Sequence, residues 1–263
     1  MEQLSLFPQE NTDPRKPESI NWNLWCGCTR VSPGCKNCYM HRRFEDVGKD
    51  PSLVQKTQKF NLPVRKLRSG EYKGLYKIPA GSQIWTCFSS DFFHPDADEW
   101  RPEAWEMMKE RSDCTFFMIT KRPERIADCL PKDWGDGWKH VSIAVTCENQ
   151  EMLDQRAPIY LSLPLTYRAI MIEPMLEAVD LRPYLKTGGI NSVTVGGESG
   201  PKARPCDYDW VLDVHRQCEE FDVGFYYHQT GAFLIKDGKK YNIPRKLQHS
   251  QAHKAHLDMP PSE

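Results

Sequence analysis

Six short runs of apolar, β-branched and aromatic residues recur along the chain, and their starts lie roughly 24–32 residues apart. The runs occupy residues 83–88, 115–119, 140–145, 168–172, 192–195 and 224–228. Continuous apolar runs of this length are typical of strands that are buried on both faces of a parallel sheet. Their spacing leaves room for one helix between successive strands, which is the repeat of a βα unit.

The segments between the runs contain patterns that favour helices. Residues 96–111 offer Asp96 or Asp98 as an N-cap and place Trp100 and Ala104 on one face, and residues 207–221 follow a similar pattern. The chain has 263 residues, and a single α/β barrel commonly occupies about 250. We therefore predict an α/β fold, namely a parallel (β/α) barrel or partial barrel with six to seven βα units.

The regular repeat also suggests a domain organisation. We expect residues 1–18 to form a flexible N-terminal arm, because they are polar and rich in proline. Residues 19–235 would form the barrel-like domain. We expect residues 236–263 to contain a hairpin around Asp237-Gly238 and then a mobile tail, since Asp-Gly is a strong hairpin turn.

Charge and hydropathy limit the partners of the chain. The 35 basic and 36 acidic residues give a net charge of −1, which argues against bulk electrostatic binding to nucleic acid or to an anionic membrane. There is no apolar run of about 18 residues, and the N-terminus lacks the pattern of a secretory signal. We expect a cytoplasmic protein with no membrane partner.

Four of the ten cysteines fall within 13 residues, namely Cys26, Cys28, Cys35 and Cys38. In a reducing compartment such a group is more typical of metal ligands than of disulfides. A Pro-Gly turn before Cys35 lets the segment fold back on itself, as a loop around a zinc ion or an iron–sulfur cluster must. Four thiolates would close the site, whereas three would leave one iron open, and the spacing alone leaves the role of Cys26 undecided.

Polar residues follow each predicted strand, where the loops of a parallel barrel converge on one mouth. They include Ser89, Ser90, Asp91, Lys121, Arg122, Glu148, Asn149, Glu173, Gly196, Gly197, Glu198 and His228. Each of them also has an ordinary interpretation as a helix cap or loop residue. Their repetition at strand ends nevertheless favours a functional site there.

The cysteine segment, residues 27–39, reads Gly-Cys-Thr-Arg-Val-Ser-Pro-Gly-Cys-Lys-Asn-Cys-Tyr. It resembles the signature of a phage- and bacteria-associated family of uncharacterised three-cysteine-motif proteins, which is similar to a divergent branch of the radical S-adenosylmethionine superfamily. Further similarities occur in the same order at residues 89–94, 119–125, 145–150, 173–176 and 196–205. The spacing C-x6-C-x2-C departs from the C-x3-C-x2-C that is most usual in that superfamily.

The resemblance implies that Cys28, Cys35 and Cys38 bind a [4Fe-4S] cluster and that Cys26 lies outside the ligand set. S-adenosylmethionine would bind the open iron and be cleaved reductively to a 5′-deoxyadenosyl radical, with flavodoxin or ferredoxin as electron donor. The cofactor-binding residues would be Ser89, Ser90, Asp91, Lys121, Arg122, Glu148, Asn149, Glu173, Gly196, Gly197 and Glu198. Gly196 and Gly197 would permit close backbone approach to the ligand.

The sequence does not identify the substrate. Lys121, Arg122, Arg125, Lys202 and Arg204 would form a basic rim suited to a nucleotide or nucleic acid, or would simply be part of a solvated surface.

Two other functions compete with the radical enzyme. One is a zinc-stabilised binding module that uses all four clustered cysteines and has no redox activity. The other is a metal-dependent hydrolase on a barrel, with Asp91, His94, Glu173 and His228 as ligands.

Overall fold

The computed structural model describes residues 13–260. Most of the predicted N-terminal arm, residues 1–12, lies outside the described residues. The strands are β1 (Ser19–Trp22), β2 (Trp25–Cys26), β3 (Gln55–Lys56), β4 (Gln83–Thr86), β5 (Thr115–Thr120), β6 (Val141–Thr146), β7 (Arg168–Ile172), β8 (Ser192–Gly196), β9 (Cys206–Asp207), β10 (Gly224–Gln229), β11 (Phe233–Lys236) and β12 (Lys239–Asn242). The α-helices are α1 (Tyr39–Glu45), α2 (Arg101–Glu110), α3 (Ile126–Cys129), α4 (Gln150–Leu161), α5 (Arg182–Leu185), α6 (Tyr208–Glu220) and α7 (Gln248–His253).

The centre of the fold is a seven-stranded sheet in the order β1-β4-β5-β6-β7-β8-β10, in which every neighbouring pair is parallel. All six predicted strands are present in this sheet, with ends that agree within two residues. The additional strand β1 joins its edge beside β4. The sheet curls into a half-barrel, so the parallel α/β prediction is confirmed in its coarser form.

Alternate residues along each strand point to opposite faces of the sheet. On the outer face, Phe116, Ile143, Ile170 and Val193 are fully buried and belong to the main core, which includes residues of α2, α4 and α6. On the inner face, a smaller cluster centred on Ala144, Ala169 and Met171 packs with half-buried Phe117, Ile119 and Tyr167. The helices therefore cover the outer face, and the concave inner face is left to line a cleft.

The C-terminal segment packs against the edge of the sheet. The predicted hairpin is formed by β11 and β12, and its turn contains Asp237 and Gly238. Helix α7 contacts β10 and buries Gln248 and Ala252. Met259 forms a β-bridge with Phe225. The part of the predicted mobile tail that the structure describes is therefore held against β10. Within residues 13–260, the helices are too short or too polar for any of them to cross a membrane.

Candidate functional site: a cysteine loop at the carboxyl edge of the sheet

The cysteine loop, residues 27–38, follows β1 and β2 and leads into α1. Cys28, Cys35 and Cys38 are free thiols that line one cavity of about 100 Å³ at the carboxyl ends of the strands. The rest of its lining includes Thr29, His41, Ser90, Asp91, Thr120, Lys121, Arg122 and Thr146. Cys26 lies in β2, opposite Gln55 of β3, and is not part of this lining. The structure thus brings together the three cysteines of the predicted ligand set and places Cys26 apart from them.

Asp91 and Arg122 fix the first part of the loop. Asp91 follows β4, is 5% exposed, and its carboxylate accepts hydrogen bonds from Thr120 Oγ1 (2.8 Å) and from Nη1 of Arg122 (3.0 Å). The guanidinium of Arg122 also donates to the backbone oxygen of Thr29 (3.1 Å) and approaches Sγ of Cys28 at 3.7 Å. A fixed guanidinium is a strong donor for such contacts, because its planar fork is pre-organised. The pair thereby joins the ends of β4 and β5 to Cys28.

Glu148 fixes the middle of the loop. Its side chain is fully buried after β6, and Oε1 accepts a hydrogen bond of 2.7 Å from the backbone N–H of Gly34. Oε2 accepts a hydrogen bond of 2.8 Å from Nη1 of Arg156. Burial opposes ionisation, but the charges of Lys121 and Arg156 together with the hydrogen bonds to the loop hold the pKa of Glu148 below its usual value. Glu148 is therefore an ionised, paired carboxylate that holds the turn before Cys35.

Glu198 fixes the last part of the loop. Oε2 accepts hydrogen bonds from Nδ2 of Asn37 (2.9 Å) and from Nε of Arg204 (2.9 Å). Arg204 reaches back to the loop, where Nη1 donates to the backbone oxygen of Pro33 at 3.0 Å. Burial raises the pKa of Glu198, but the hydrogen bonds from Arg204 and Asn37 outweigh it and lower the pKa overall. Three carboxylates from β4, β6 and β8 thus anchor one loop.

Further contacts to the loop come from His94 and the two serines after β4. Nδ1 of His94 accepts a hydrogen bond from the backbone N–H of Asp96 (3.2 Å), and Nε2 accepts one from the backbone N–H of Thr29 (3.3 Å) and lies 3.0 Å from Oγ1 of Thr29. Burial lowers the pKa of His94, which keeps this ring neutral. Oγ of Ser89 donates to Trp25, and Oγ of Ser90 donates to Gly27. The predicted role of these serines as cofactor-binding residues stays a prediction.

The thiol of Cys28 is held in its neutral form in the protein as described. Burial raises the pKa of Cys28 to about 11, and the positive charge of Arg122 offsets only part of this effect. A metal or cluster that bound here would displace the proton, because the thiolate is the ligand form of cysteine.

Among residues 13–260, no three His, Cys, Asp or Glu side chains form a group that could hold one metal ion. A cubane cluster does not require such convergence, because each thiolate binds a different iron. Three thiols line the wall of one cavity, in a loop that is fixed from three sides, and their role as cluster ligands stays a prediction.

A second, larger cleft of about 930 Å³ lies along the concave face of the sheet and shares Cys35, Cys38, Ser90 and Lys121 with the cysteine-lined cavity. Lys121, one of the predicted cofactor-binding residues, borders both spaces. Asn149 instead caps α4, where its side chain accepts from the backbone N–H of Met152 (3.0 Å). This agrees with the alternative interpretation of Asn149 as a helix-capping residue.

Gly196, the last residue of β8, and Gly197 after it make room for protein atoms. A Cβ on Gly196 would lie 2.6 Å from the carboxyl carbon of Glu173, and one on Gly197 would lie 2.3 Å from the backbone oxygen of Thr230. The expectation that these glycines permit close approach of a ligand stays a prediction, and Gly197 also lines the larger cleft. Their small size allows β8 to pack closely against the ends of β7 and β10.

The basic residues and the hydrolase ligands do not assemble as one group. Arg122, Arg125 and Arg204 are paired with Asp91, Asp98 and Glu198, respectively. The four hydrolase candidates divide into two networks: Asp91 and His94 contact the cysteine loop, whereas Glu173 binds His228. The predicted basic rim thus has three of its five charges neutralised by neighbours.

Fold and site together define the class: an α/β protein with a curled parallel sheet and an anchored cysteine loop at its carboxyl edge. The chain belongs to a family whose model matches residues 18–258 and whose description reads "Protein of unknown function (DUF5131)". Membership of an uncharacterised family is thus confirmed, and the link to the radical S-adenosylmethionine superfamily stays a prediction.

Similarity to characterised proteins is small. The chain is 26% identical over 136 residues to a probable RNA-directed DNA polymerase from transposon BS of Drosophila melanogaster. The match covers 49% of this chain and 14% of that protein, which is too little to transfer its activity. No solved structure matches the chain.

Proposed function

We propose that this protein is a radical S-adenosylmethionine-like enzyme in which Cys28, Cys35 and Cys38 hold a [4Fe-4S] cluster on a partial (β/α) barrel. The observation that carries the proposal is the single cavity that these three thiols line, with Cys26 outside it. When bound, the cluster would supply the electron that cleaves the carbon–sulfur bond of S-adenosylmethionine. The electron donor would be a small redox protein such as flavodoxin or ferredoxin.

The contacts around the loop support this role. A cluster with one open iron needs three thiolates that keep their positions while the fourth iron exchanges ligands. The loop is fixed by buried side chains after β4, β6 and β8, so its shape does not depend on the cluster alone. Asp91, Glu148 and Glu198 would act as positioning residues for the cluster, because each is already engaged with the loop or its partner arginine.

Lys121 is the residue best placed to meet the carboxylate of the methionine moiety. Its side chain lines both the cysteine cavity and the larger cleft, and its charge acts on the buried Glu148. An ammonium group at the junction of the two spaces would attract an anionic ligand group that bridges them. The adenosine part would then extend into the larger cleft along the concave face of the sheet.

The test is anaerobic purification and reconstitution, followed by iron and sulfide analysis and electron paramagnetic resonance after reduction. We expect about four irons per chain and a spectrum that changes when S-adenosylmethionine is added. Cys28→Ser, Cys35→Ser and Cys38→Ser should each abolish the signal, whereas the matched control Cys26→Ser should retain it.

The same experiment distinguishes the competing functions. Stoichiometric zinc that is lost in Cys26→Ser as well as in the other three variants would refute the proposal and support the closed four-cysteine module. An iron cluster whose spectrum is unchanged by S-adenosylmethionine would refute the radical mechanism while leaving the cysteine site intact.

A further inference from the structure

The larger cleft has a second polar end, which the cysteine loop does not use. Nδ1 of His228 lies 2.8 Å from Oε2 of Glu173, and Gln229 donates to the other carboxylate oxygen. Arg245 is held nearby by Oε1 of Gln229 and Oε1 of Gln248. These groups come from the ends of β7 and β10 and from the segment before α7, and several of them line the cleft.

The hydrogen bond to Glu173 determines which nitrogen of His228 faces a ligand. A carboxylate only accepts hydrogen bonds, so Nδ1 of His228 must carry the proton and donate it. In the neutral ring, Nε2 then bears the lone pair. Within the described residues Nε2 has no hydrogen-bond partner, and the side chain is 51% exposed. The bond to Glu173 also raises the pKa of His228, so Nε2 offers its lone pair at a pH above that value and carries a proton below it.

The concave wall of the same cleft is aromatic and is held in place. Nε1 of Trp85 donates to Oγ of Ser19 (2.8 Å), and the ring of Trp85 packs edge-on against Phe117 at 5.4 Å. The hydroxyl of Tyr167 is bonded to Ser192 on the same face. All of these residues line the cleft, and both Trp85 and Tyr167 keep part of their surface exposed to it. Fixed aromatic faces favour flat ring systems as ligands.

The charges at this end disfavour a phosphate. Glu173 and Asp258 both line the cleft, and their carboxylates would repel an anion there. Arg245 keeps its positive charge, because its partners Gln229 and Gln248 are neutral amides, but the two carboxylates outweigh that single charge. Three arginines of the predicted basic rim are paired elsewhere. A flat, uncharged molecule fits this combination better than a nucleotide does.

We propose that Glu173, His228 and the aromatic wall around Trp85 form a substrate subsite for an uncharged heteroaromatic molecule with a hydroxyl or amino group, such as a nucleoside. The group would donate its hydrogen to Nε2 of His228, and Glu173 would fix the orientation of the imidazole. The proposal rests on the proposed function only in naming this molecule a substrate; the subsite itself requires no cluster. The cleft of about 930 Å³ lies within the range of ligand sites, which extends to about 1,000 Å³.

The test is isothermal titration of guanosine and uridine into the reconstituted full chain, in the presence of saturating S-adenosylhomocysteine so that the cofactor position is filled. We expect at least one nucleoside to bind. His228→Asn and Glu173→Gln should each weaken that binding about five- to tenfold, as the loss of one hydrogen bond does. His256→Asn is the matched control, because His256 is exposed and lies outside both cavities.

Trp85→Phe provides a second variant, which keeps an aromatic ring but removes the hydrogen bond to Ser19 and part of the stacking surface. It should also weaken binding, and the urea midpoints of all variants are measured to confirm that they fold. The proposal is overturned if neither nucleoside binds or if His228→Asn binds as tightly as the wild type. Guanosine monophosphate that binds more than tenfold tighter than guanosine would also overturn it.

The two proposals fail in different ways. Nucleoside binding that depends on His228, in a protein that lacks a reducible cluster and does not bind S-adenosylhomocysteine, would retain the subsite and refute the radical function. A cluster that responds to S-adenosylmethionine, combined with nucleoside binding that is unchanged in His228→Asn, would support the radical function and refute the subsite.

Discussion

Replacing Glu148 by alanine should destabilise the protein far more than removing a surface carboxylate. Glu148 is fully buried, and its partner Arg156 is only 8% exposed. Glu148→Ala would leave the Arg156 guanidinium buried without its counter-charge and the N–H of Gly34 without its acceptor. Breaking a buried pair in this way costs about 3–5 kcal/mol.

The assay is urea unfolding followed by circular dichroism. With a slope of about 3 kcal/mol per molar urea, the expected loss lowers the unfolding midpoint by about 1–2 M. Glu220→Ala is the matched control, because it removes the carboxylate of an exposed glutamate–arginine pair with Arg182. Exposed pairs contribute about 0–1 kcal/mol, so the control should stay close to the wild type.

A double variant separates the buried charge from the shape of the site. Glu148→Met combined with Arg156→Met removes both charges and should recover most of the stability lost in Glu148→Ala, because apolar side chains of similar size can replace a buried pair. The reasoning is refuted if Glu148→Ala unfolds within 0.2 M of the control. It is also refuted if the double variant is no more stable than Glu148→Ala.

Two further predictions concern pH and packing. The folded pKa of Glu148 is lowered, so its contribution to the free energy of unfolding is complete above the unfolded value near 4.5 and is lost as the pH falls through the folded pKa. The stability difference between the wild type and Glu148→Gln should therefore be constant from pH 7 to 6 and shrink below about pH 4.5. A difference that grows in acid would contradict this. Gly197→Ala should lower the free energy of unfolding in urea by about 1–3 kcal/mol, because its Cβ would lie 2.3 Å from the backbone oxygen of Thr230. In the control Gly189→Ala, the nearest contact of the added Cβ is at 3.5 Å, so stability should change by less than about 0.5 kcal/mol. Equal losses would show that the close approach at Gly197 is unimportant.

The strand positions and one of the two predicted helices follow from local patterns in the sequence. The helix predicted over residues 96–111 is shorter: α2 begins at Arg101, after a separate 3-10 turn at Pro95–Ala97, so Asp96 and Asp98 are not its N-cap. The six apolar runs coincide with strands of the parallel sheet, and the predicted helix over residues 207–221 is α6, with Asp207 accepting from the N–H of Asp209 as the N-cap. Strand β1 is not among the six predicted strands. Its four residues are too few for a periodic signal, and pairing with β4 is what defines it.

The candidate site was predictable in outline and not in its contacts. Spacing identified Cys28, Cys35 and Cys38, and strand-end position identified the carboxylates that surround them. Neither spacing nor strand-end position predicts that Glu148 accepts a hydrogen bond from Gly34, 114 residues away in the chain. The same is true of the hydrogen bond from Asn37 to Glu198, across 161 residues. Pairs this distant leave no mark in local spacing. His94 was considered as a metal ligand, and only the folded structure shows it bonded to the loop.

By itself, the sequence determined the type and order of the elements, the parallel sheet and the loop that carries the cysteines. Hydrophobic periodicity and turn residues act between neighbours in the chain, so these features can be read without knowing the fold. The tertiary structure alone decided that the sheet curls into a half-barrel, that Cys26 lies outside the cavity, and that the strand-end carboxylates face the cysteine loop. The pairing of Glu173 with His228 was also decided only by the tertiary structure. Charge pairing depends on distances in space, and these distances are set only when the whole sheet has formed.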